Sequence, residues 1–242
     1  MIAKIKRIVK DRVERNYFEK IINENLHKDF FFIQIGACDG KSFDPIYQYV
    51  KKHNWEGILM EPIPHLYEEL RKNYSDNPEL LLLNMAIAET NGPILMDTIS
   101  REGLKHLPKW AKGISSISNT NRNALSIKYW EEGRGKNNDR SSYSELEKYK
   151  IQVEVPGITL EHLFDNYAAG KKIDLLQIDA EGYDFQILKT LDLVNHAPNI
   201  IHFEYGSMTE EEKSEISTML KNHKYRLDFY GVNDALAVRP KN

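Results

Sequence analysis

The sequence predicts an α/β fold in which helices cover both faces of a mostly parallel, Rossmann-like sheet that is closed by an antiparallel hairpin. Three observations lead to this prediction. Short apolar runs alternate with segments of helical periodicity, as in right-handed βαβ units. Two of these runs end in glycines or acids, which suits strand ends that face a ligand. Two strand-like segments, 225–230 and 235–238, follow each other near the end of the chain.

The first buried strand and its loop form the most informative stretch, residues 30–40, which reads Phe-Phe-Phe-Ile-Gln-Ile-Gly-Ala-Cys-Asp-Gly. Its first half is an apolar and aromatic run typical of a strand that is buried on both faces. Its second half is a loop that contains Gly36 and Gly40, before a helix predicted from about residue 43. Because such a loop lets the backbone approach a ligand and direct N–H groups at it, this stretch predicts a cofactor site.

Composition limits the class of protein. The chain has 242 residues, enough for one large domain. Charged residues are 29% and the net charge is −3, so the overall charge does not indicate a nucleic-acid partner. Cys38 is the single cysteine, so no internal disulfide can form and a reducing, cytoplasmic location is expected. No apolar run reaches the roughly 20 residues of a membrane-spanning helix, and the first residues lack the apolar core of a signal peptide.

Basic residues are concentrated in two segments. Residues 1–15 carry a local charge of +4 and residues 101–150 a charge of +5, which leaves −12 on the rest of the chain. Apolar residues recur with a helical period over 2–25, and a basic amphipathic helix can lie on an anionic membrane. A helix that packs on the domain is the favoured interpretation. We therefore predict a helical extension over 1–28 and a single domain over 29–242.

The second predicted strand ends at an acid in an informative position. Strand 57–60 is followed by Glu61, a helix over about 64–73 and a third buried strand over 80–83. In nucleotide-binding α/β folds, an acid about 20 residues after the glycine loop accepts hydrogen bonds from the ribose hydroxyls. Glu61 lies 25 residues after Gly36, which favours this role. A surface glutamate that opens a helix is the alternative.

The alternation of strands and helices is interrupted between residues 91 and 157. The pattern allows an extra strand over 94–99, and a basic, polar insert then covers about 101–150. A connection of this length is usually a functional lid or a disordered segment. Aromatic residues among its cations suit a sugar ring that carries phosphate or carboxylate, and local packing is the alternative. The aromatic residues are Trp110, Tyr129, Trp130, Tyr143 and Tyr149.

Another buried strand, within 173–178, ends in Asp179 and Glu181. Strand ends of open parallel sheets face the ligand crevice, so both acids should point into the site. They could bind a cation, orient a cofactor amine or take a proton.

Residues 199–205 form the next predicted strand, and a period of two puts His202 and Glu204 on one face. With an ordinary pKa near 6.5, a histidine beside Asp179 could act as a base; a structural histidine is the alternative. Thr159 and Thr209 are predicted to cap the helices that precede and follow this region. Alternating elements followed by a terminal hairpin are the plan of a seven-stranded methyltransferase sheet.

Five motifs together resemble those of the FkbM-type family of S-adenosylmethionine-dependent methyltransferases. They occur in the family's order over about residues 30–205, and they are specific only as a set. Two positions differ from the family pattern: Gln34 stands where an acid is usual, and Gln177 where lysine is often found. The motifs are 32–40, Glu-Pro-Ile-Pro at 61–64, Asn-Met-Ala at 84–86, Ser-Ser-Ile at 115–117, and 173–182 with its Asp-Ala-Glu-Gly ending.

The resemblance implies a class I methyltransferase fold, S-adenosylmethionine as cofactor, and methyl transfer to a hydroxyl of a sugar, glycan or related small molecule. It also implies a site. The loop residues Gly36, Ala37, Asp39 and Gly40 would receive the methionine part of the cofactor, Glu61 and Pro62 its ribose, and Asn84, Met85, Ala86 and Ser116 the adenine. Asp179 and Glu181 would lie where the methyl donor and the acceptor meet, and Asp179 would also contact the cofactor. Either His202 or Asp179 would be the general base.

Several alternatives stay open. Mg²⁺ held by Asp179, Glu181 and Glu204 would lower the pKa of an acceptor hydroxyl, although no metal belongs to the favoured prediction. A nicotinamide-dependent oxidoreductase would carry the Gly-x-Gly-x-x-Gly fingerprint, which this loop lacks, and a non-catalytic cofactor-binding module is a second rival. The expected partner is a small-molecule or glycan acceptor, anionic if the basic insert contacts it. Nucleic acid is not expected, and membrane contact through residues 1–15 is a minor alternative.

Overall fold

A computed structural model of the chain describes residues 17–118, 146–230 and 233–240. Its first described helix, α1, covers 17–25 and buries Phe18, Ile21 and Ile22 against the rest of the molecule. This part of the N-terminal helix therefore packs on the domain. Residues 1–15, for which membrane contact was the minor alternative, lie outside the described residues, and the domain boundary at residue 28 stays a prediction.

The described elements alternate as the sequence predicts. The helices are α2 (Tyr47–His53), α3 (Pro64–Asn73), α4 (Gly103–His106), α5 (Leu160–Tyr167), α6 (Asp184–Leu188) and α7 (Glu210–Asn222). The strands are β1 (Phe31–Ile35), β2 (Glu56–Met60), β3 (Leu80–Leu83), β4 (Ala86–Ile87), β5 (Gly92–Ile99), β6 (Ser115–Ile117), β7 (Lys150–Ile158), β8 (Leu175–Ile178), β9 (Ile200–Glu204), β10 (Arg226–Tyr230) and β11 (Asp234–Val238).

The main sheet has seven strands in the order β10-β11-β9-β8-β1-β2-β3. Strands β3, β2, β1, β8 and β9 pair in parallel, while β11 is antiparallel to both of its neighbours. Helices lie on both faces: α1 and α2 join one apolar core, and α5 and α7 join the other. The predicted mostly parallel sheet with a closing hairpin is therefore confirmed.

A second sheet, in the order β4-β7-β5-β6, was not predicted. Strands β5 and β7 pair antiparallel over eight residue pairs, from Gly92 opposite Gly157 to Ile99 opposite Lys150. Contacts between segments this far apart in sequence leave no local pattern. The described beginning of the insert also contains α4, a 3₁₀ helix at Lys109–Gly113 and β6. Residues 119–145 lie outside the described residues, so neither sugar binding nor local packing is tested for Tyr129, Trp130 and Tyr143.

Two local predictions were wrong. Strand β3 was expected to be buried, but it is the edge of the main sheet and Leu81 is 42% exposed. A run of four leucines indicates a strand without distinguishing a central one from an edge. Helix α2 begins at Tyr47 instead of about residue 43, because a loop that contains Pro45 precedes it.

Both predicted helix caps are confirmed. Thr159 accepts a hydrogen bond from the His162 N–H at 3.1 Å, and Thr209 forms a reciprocal capping box with Glu212. Among the described residues, no helix combines the length and the apolar composition needed to cross a bilayer.

Candidate active site

The loop that follows β1 is fixed against the end of β2. The N–H groups of Gly36 and Ala37 both donate to the carbonyl oxygen of Met60, at 3.0 and 2.8 Å. Gly36 has a φ of +82°, and a Cβ atom there would lie 1.8 Å from the carbonyl oxygen of Asp179. Only glycine fits this position, because it must tolerate a left-handed backbone and a close approach of the neighbouring strand end at once.

Glu61 joins the same loop from the end of β2. Its Oε2 accepts a hydrogen bond from the Cys38 N–H and its Oε1 one from the Ile63 N–H, both at 2.8 Å. The side chain is buried, and this burial raises the pKa of Glu61 to about 8. The glycine loop and the glutamate therefore meet at one rim of the main sheet. The Asn84 side chain fixes this turn by donating to the carbonyl oxygens of Glu61 and Pro62, at 2.8 and 2.9 Å.

Asp39 shapes the glycine loop from within. Its Oδ1 accepts hydrogen bonds from the Lys41 and Ser42 N–H groups at 2.9 and 2.7 Å, and its Oδ2 accepts from the Ser42 hydroxyl at 2.7 Å. Lys112 pairs with the same oxygen at 2.5 Å. Burial opposes ionisation, but these donors outweigh it and lower the pKa of Asp39 to about 2. Asp39 is therefore an ionised organiser of the loop. Gly40, with a φ of +67°, closes the loop.

Three carboxylates at the ends of β8 and β9 have a different environment. Among the described residues, Asp179, Glu181 and Glu204 accept no side-chain hydrogen bond. Asp179 is exposed to solvent, yet nearby protein desolvates its carboxylate and raises its pKa to about 6. Burial and then repulsion from Asp179 raise the pKa values of Glu181 and Glu204. A cation bound between these strand ends would favour the ionised form of all three groups. We name this set, Asp179, Glu181 and Glu204, the open acids.

Asp184 and Lys112 belong to the same region, and sequence reasoning missed both. The buried Asp184 carboxylate accepts hydrogen bonds from the N–H groups of Ala180 and Glu204, at 3.3 and 3.1 Å. It therefore ties the ends of β8 and β9 together, and burial followed by repulsion from Asp179 raises its pKa to about 8. The signal for Asp184 was its position two residues after Gly182, while nothing local indicated that Lys112 would reach Asp39.

The 3₁₀ helix at the start of the insert crosses this rim. Lys112 pairs with both Asp39 and Glu69, each at 2.5 Å. A Cβ atom on Gly113 would lie 2.7 Å from Oε1 of Glu181. The described part of the insert therefore contacts the glycine loop and an open acid. Its aromatics pack locally: Trp110 and Tyr149 lie against one small apolar cluster, and Tyr149 also stacks on His106 at 5.7 Å.

His202 does not lie with the open acids. Its ring is buried beneath α1, 4.9 Å from the ring of Phe18, and its Nε2 lies 2.7 Å from the Tyr230 hydroxyl and 3.7 Å from Asp234. Burial lowers the pKa of His202 to about 4. A neutral imidazole enclosed in this way matches the structural interpretation better than that of a base.

The two departures from the family motifs turn out to be direct neighbours. Gln34 of β1 is paired in register with Gln177 of β8, and Gln177 is in turn paired with His202 of β9. Both glutamines are buried, 2% and 3% exposed. This chain therefore has two neutral amides side by side in the centre of the main sheet.

The residues predicted near adenine lie in or beside the second sheet. Ala86 of β4 pairs with Gly157 of β7, and Ser116 of β6 pairs with Asp97 of β5. Met85 packs against the main core. Ala86 shares an apolar cluster with Ile63, and Cys38 packs against that cluster. The second sheet is therefore joined to the glycine loop and to Glu61. Among the described residues, no group of three or more His, Cys, Asp or Glu side chains is arranged to hold a metal ion.

This strand order, with β11 reversed and a glutamate bound to the glycine loop, is that of the class I methyltransferases. The chain belongs to the FkbM methyltransferase family: the family model described as a methyltransferase FkbM domain matches residues 34–227. No curated protein matched the chain.

Solved structures of methyltransferases resemble the fold. A methyltransferase FkbM from Methylobacillus flagellatus KT has a TM-score of 0.49 at 10% identity, over 87% of this chain and 44% of that one. The delta-N METTL16 methyltransferase domain has a TM-score of 0.47 at 10% identity, over 96% and 83%. A human methyltransferase 10 domain containing protein has a TM-score of 0.43 at 10% identity, over 93% and 82%. At these identities and TM-scores the likenesses support no statement about the substrate.

Proposed function

We propose that this chain is an S-adenosylmethionine-dependent O-methyltransferase that acts on a hydroxyl of a sugar, glycan or related small molecule. The observation that carries the proposal is the meeting of the glycine loop and Glu61 at one rim, through the 2.8 Å hydrogen bond from the Cys38 N–H. The open acids lie along the same rim, on the adjacent strand ends.

The residues present fit this cofactor. The close approach at Gly36 brings the backbone of the loop to the strand end that carries Asp179, which suits a ligand that bridges the two. Each side-chain oxygen of Glu61 accepts one backbone hydrogen bond, and the remaining hydrogen-bonding capacity suits ribose hydroxyls. The open acids match the ammonium and sulfonium charges. When bound, the cofactor supplies an electrophilic methyl group on its sulfonium.

Asp179 is the proposed base. A carboxyl whose pKa is raised to about 6 is mostly ionised at neutral pH and can still take a proton from an attacking hydroxyl. Its position directly after β8, beside the glycine loop, would also orient the acceptor oxygen for an in-line displacement. Glu181 would assist in orienting the acceptor, while the enclosed ring of His202 supports a structural role.

The charge of the described site favours a neutral acceptor. Lys112 is paired with Asp39 and Glu69, and Arg101 and Lys105 with Glu68 and Glu102, so these cations already have partners. A polyanion such as nucleic acid would be repelled by the open acids. An anionic acceptor would depend on cations within 119–145. The cytoplasmic location rests on the single cysteine alone and stays a prediction.

Binding and turnover assays test the proposal together. Calorimetry with S-adenosylhomocysteine should give a saturable isotherm, and NAD⁺ and NADP⁺ should give none. Thermal shift provides the cheap first screen, because a ligand that binds only the folded state stabilises it. Turnover is then measured with labelled methyl donor against nucleotide-sugars and glycan fragments.

Each result distinguishes the rival classes. Binding of a nicotinamide cofactor without S-adenosylhomocysteine would favour the oxidoreductase. Cofactor binding without turnover of any sugar would argue against the acceptor class. Lack of binding to either cofactor would overturn the proposal entirely.

A further inference from the structure

The segment between the glycine loop and α2 exposes an aromatic ring. Phe43 is 78% exposed and has a φ of +63°. A left-handed backbone is unfavourable for a bulky L-residue, and such strain persists where surrounding structure imposes it. The described residues include six large apolar side chains that are exposed, and only Phe43 combines exposure with a positive φ. The other five are Leu81, Leu95, Ile151, Val194 and Phe229.

Two acids hold the backbone on either side of Phe43. Asp39 accepts hydrogen bonds from the N–H groups of Lys41 and Ser42, and Asp44 accepts one from the Ile46 N–H at 2.8 Å. The turn is therefore determined from both ends. It carries the ring into solvent, where the ring gains no packing that would offset the strain of its backbone.

Phe43 is also close in sequence to residues near the open acids. Asp44, the next residue, lies near enough to Asp179 for the two carboxylates to repel each other, and it is also approached by the side chain of Gln34. Gly40 and Asp39, which precede Phe43, belong to the proposed cofactor loop. Phe43 therefore projects from the same rim as the open acids.

We propose that Phe43 is the stacking platform for the acceptor, and that its ligand is a neutral pyranose ring. This inference rests on the proposed function and adds a specificity-determining residue to it. An aromatic ring packs against the apolar C–H face of a sugar. The open acids are hydrogen-bond acceptors for its hydroxyls, and they disfavour a phosphorylated ligand.

Saturation-transfer NMR tests the platform even while the natural acceptor is unidentified. The probes are methyl α- and β-pyranosides at millimolar concentration, added to the full chain saturated with S-adenosylhomocysteine. The variants are Phe43→Gly, which removes the ring and relieves the backbone, and Phe43→Trp, which keeps a ring. Val194→Ala is the matched control, because Val194 is 81% exposed in the loop before β9, at the opposite ends of the parallel strands from the open acids.

The expected result separates function from structure. Phe43→Gly should lose at least tenfold in pyranoside affinity, while its affinity for S-adenosylhomocysteine stays within twofold and its Tm is unchanged or higher. Phe43→Trp and Val194→Ala should retain pyranoside binding. Equal binding by the wild type and Phe43→Gly would overturn the platform and leave the proposed function standing.

Two other outcomes also overturn the inference. If the wild type with bound S-adenosylhomocysteine shows no transfer to any pyranoside, the ring does not serve this ligand class. If Phe43→Gly lowers the Tm together with all binding, the role of Phe43 is structural. Failure of the wild type to bind S-adenosylhomocysteine is measured separately, and it would count against the proposed function itself.

Discussion

The carboxylates at the two ends of the rim have opposite hydrogen-bonding environments. At the glycine-loop end, each oxygen of Glu61 receives a backbone N–H, and Asp39 receives two N–H groups, a hydroxyl and the Lys112 ammonium. At the other end, the open acids receive no hydrogen bond from any described residue. The first end is a scaffold that is complete by itself. The second holds carboxyl groups whose ionised forms lack a hydrogen-bond donor among the described residues, so either a proton or a bound cation would stabilise them.

This difference predicts opposite responses to mutation. Removing a group from the scaffold should cost stability first, and binding as a consequence. Removing an open acid should relieve repulsion and therefore cost activity without costing stability. The predictions below test this contrast in order of decreasing expected effect.

The largest effect is expected for Gly36→Ala, at the point where the two ends touch. Its Cβ atom would lie 1.8 Å from the carbonyl oxygen of Asp179, and main-chain atoms on both sides leave no cheap adjustment. We expect a loss of about 4 kcal/mol or more in the free energy of unfolding, measured by urea denaturation, together with loss of cofactor binding.

Gly170→Ala is the matched control for the strained backbone. Gly170 has a φ of +73°, and a Cβ atom there would meet nothing within 4 Å. Its loss should be only the cost of the left-handed conformation, about 1–2 kcal/mol. Equal losses in the two variants would show that the contact with the Asp179 backbone is unimportant.

Asp179→Asn tests the open end. Loss of the proposed base should lower kcat about 10²–10⁴-fold, measured with labelled methyl donor on the best sugar substrate. Its Tm should rise or stay constant, because the Asp179 charge raises the pKa values of Glu181, Asp184 and Glu204. Asp165→Asn, at an exposed position of α5, is the control for both readouts. A fall in Tm with unchanged kcat would reverse the contrast.

Glu61→Ala tests the glycine-loop end of the rim. The variant leaves the Cys38 and Ile63 N–H groups without their acceptor, at a cost of about 1–3 kcal/mol for each buried group. It also removes the proposed ribose contact, so affinity for S-adenosylhomocysteine should fall roughly tenfold or more in calorimetry. Glu56→Ala at the other end of β2 removes only an exposed pair with Lys171, and it should leave affinity unchanged. Unchanged affinity in Glu61→Ala would remove the ribose assignment.

The smallest effect is the dependence of stability on pH. Burial raises the pKa values of Asp44, Glu61, Asp179 and Asp184 to about 7, 8, 6 and 8. The folded state therefore holds protons that the unfolded chain releases above about pH 4, and stability should fall as pH rises from about 5 to 8. His202, whose pKa is lowered to about 4, acts in the opposite direction below pH 6.5. The ligand-free Tm should be a few degrees higher at pH 6 than at pH 8. A Tm that rises over this interval would contradict the shifts.

Local chemistry explains which parts of the fold could be predicted. The glycine loop, the caps at Thr159 and Thr209, and the alternation of strands with helices all depend on residues close in sequence. The second sheet depends on β5 meeting β7 across about 50 residues, which no local period reveals. The edge position of β3 is likewise a property of the assembled sheet.

The candidate active site also has features that local sequence predicts and features that depend on the assembled fold. The acids at strand ends could be assigned because parallel strands present their carboxyl ends at one edge. The role of each acid could not be assigned, because it depends on which N–H groups donate hydrogen bonds to its carboxylate. Thus Asp39 binds its own loop, Asp184 joins two strands, and His202 lies beneath α1 with Phe18. A strand period of two gave the correct face for His202 without indicating what covers it.

The paired amides in the sheet centre also limit which single substitutions the main sheet tolerates. Gln34 and Gln177 are buried register partners, so changing only one of them to a charged residue would leave one lone buried charge. Such a variant is expected to lose about 3–5 kcal/mol. A Gln34→Asp, Gln177→Lys double variant should therefore be more stable than either single variant.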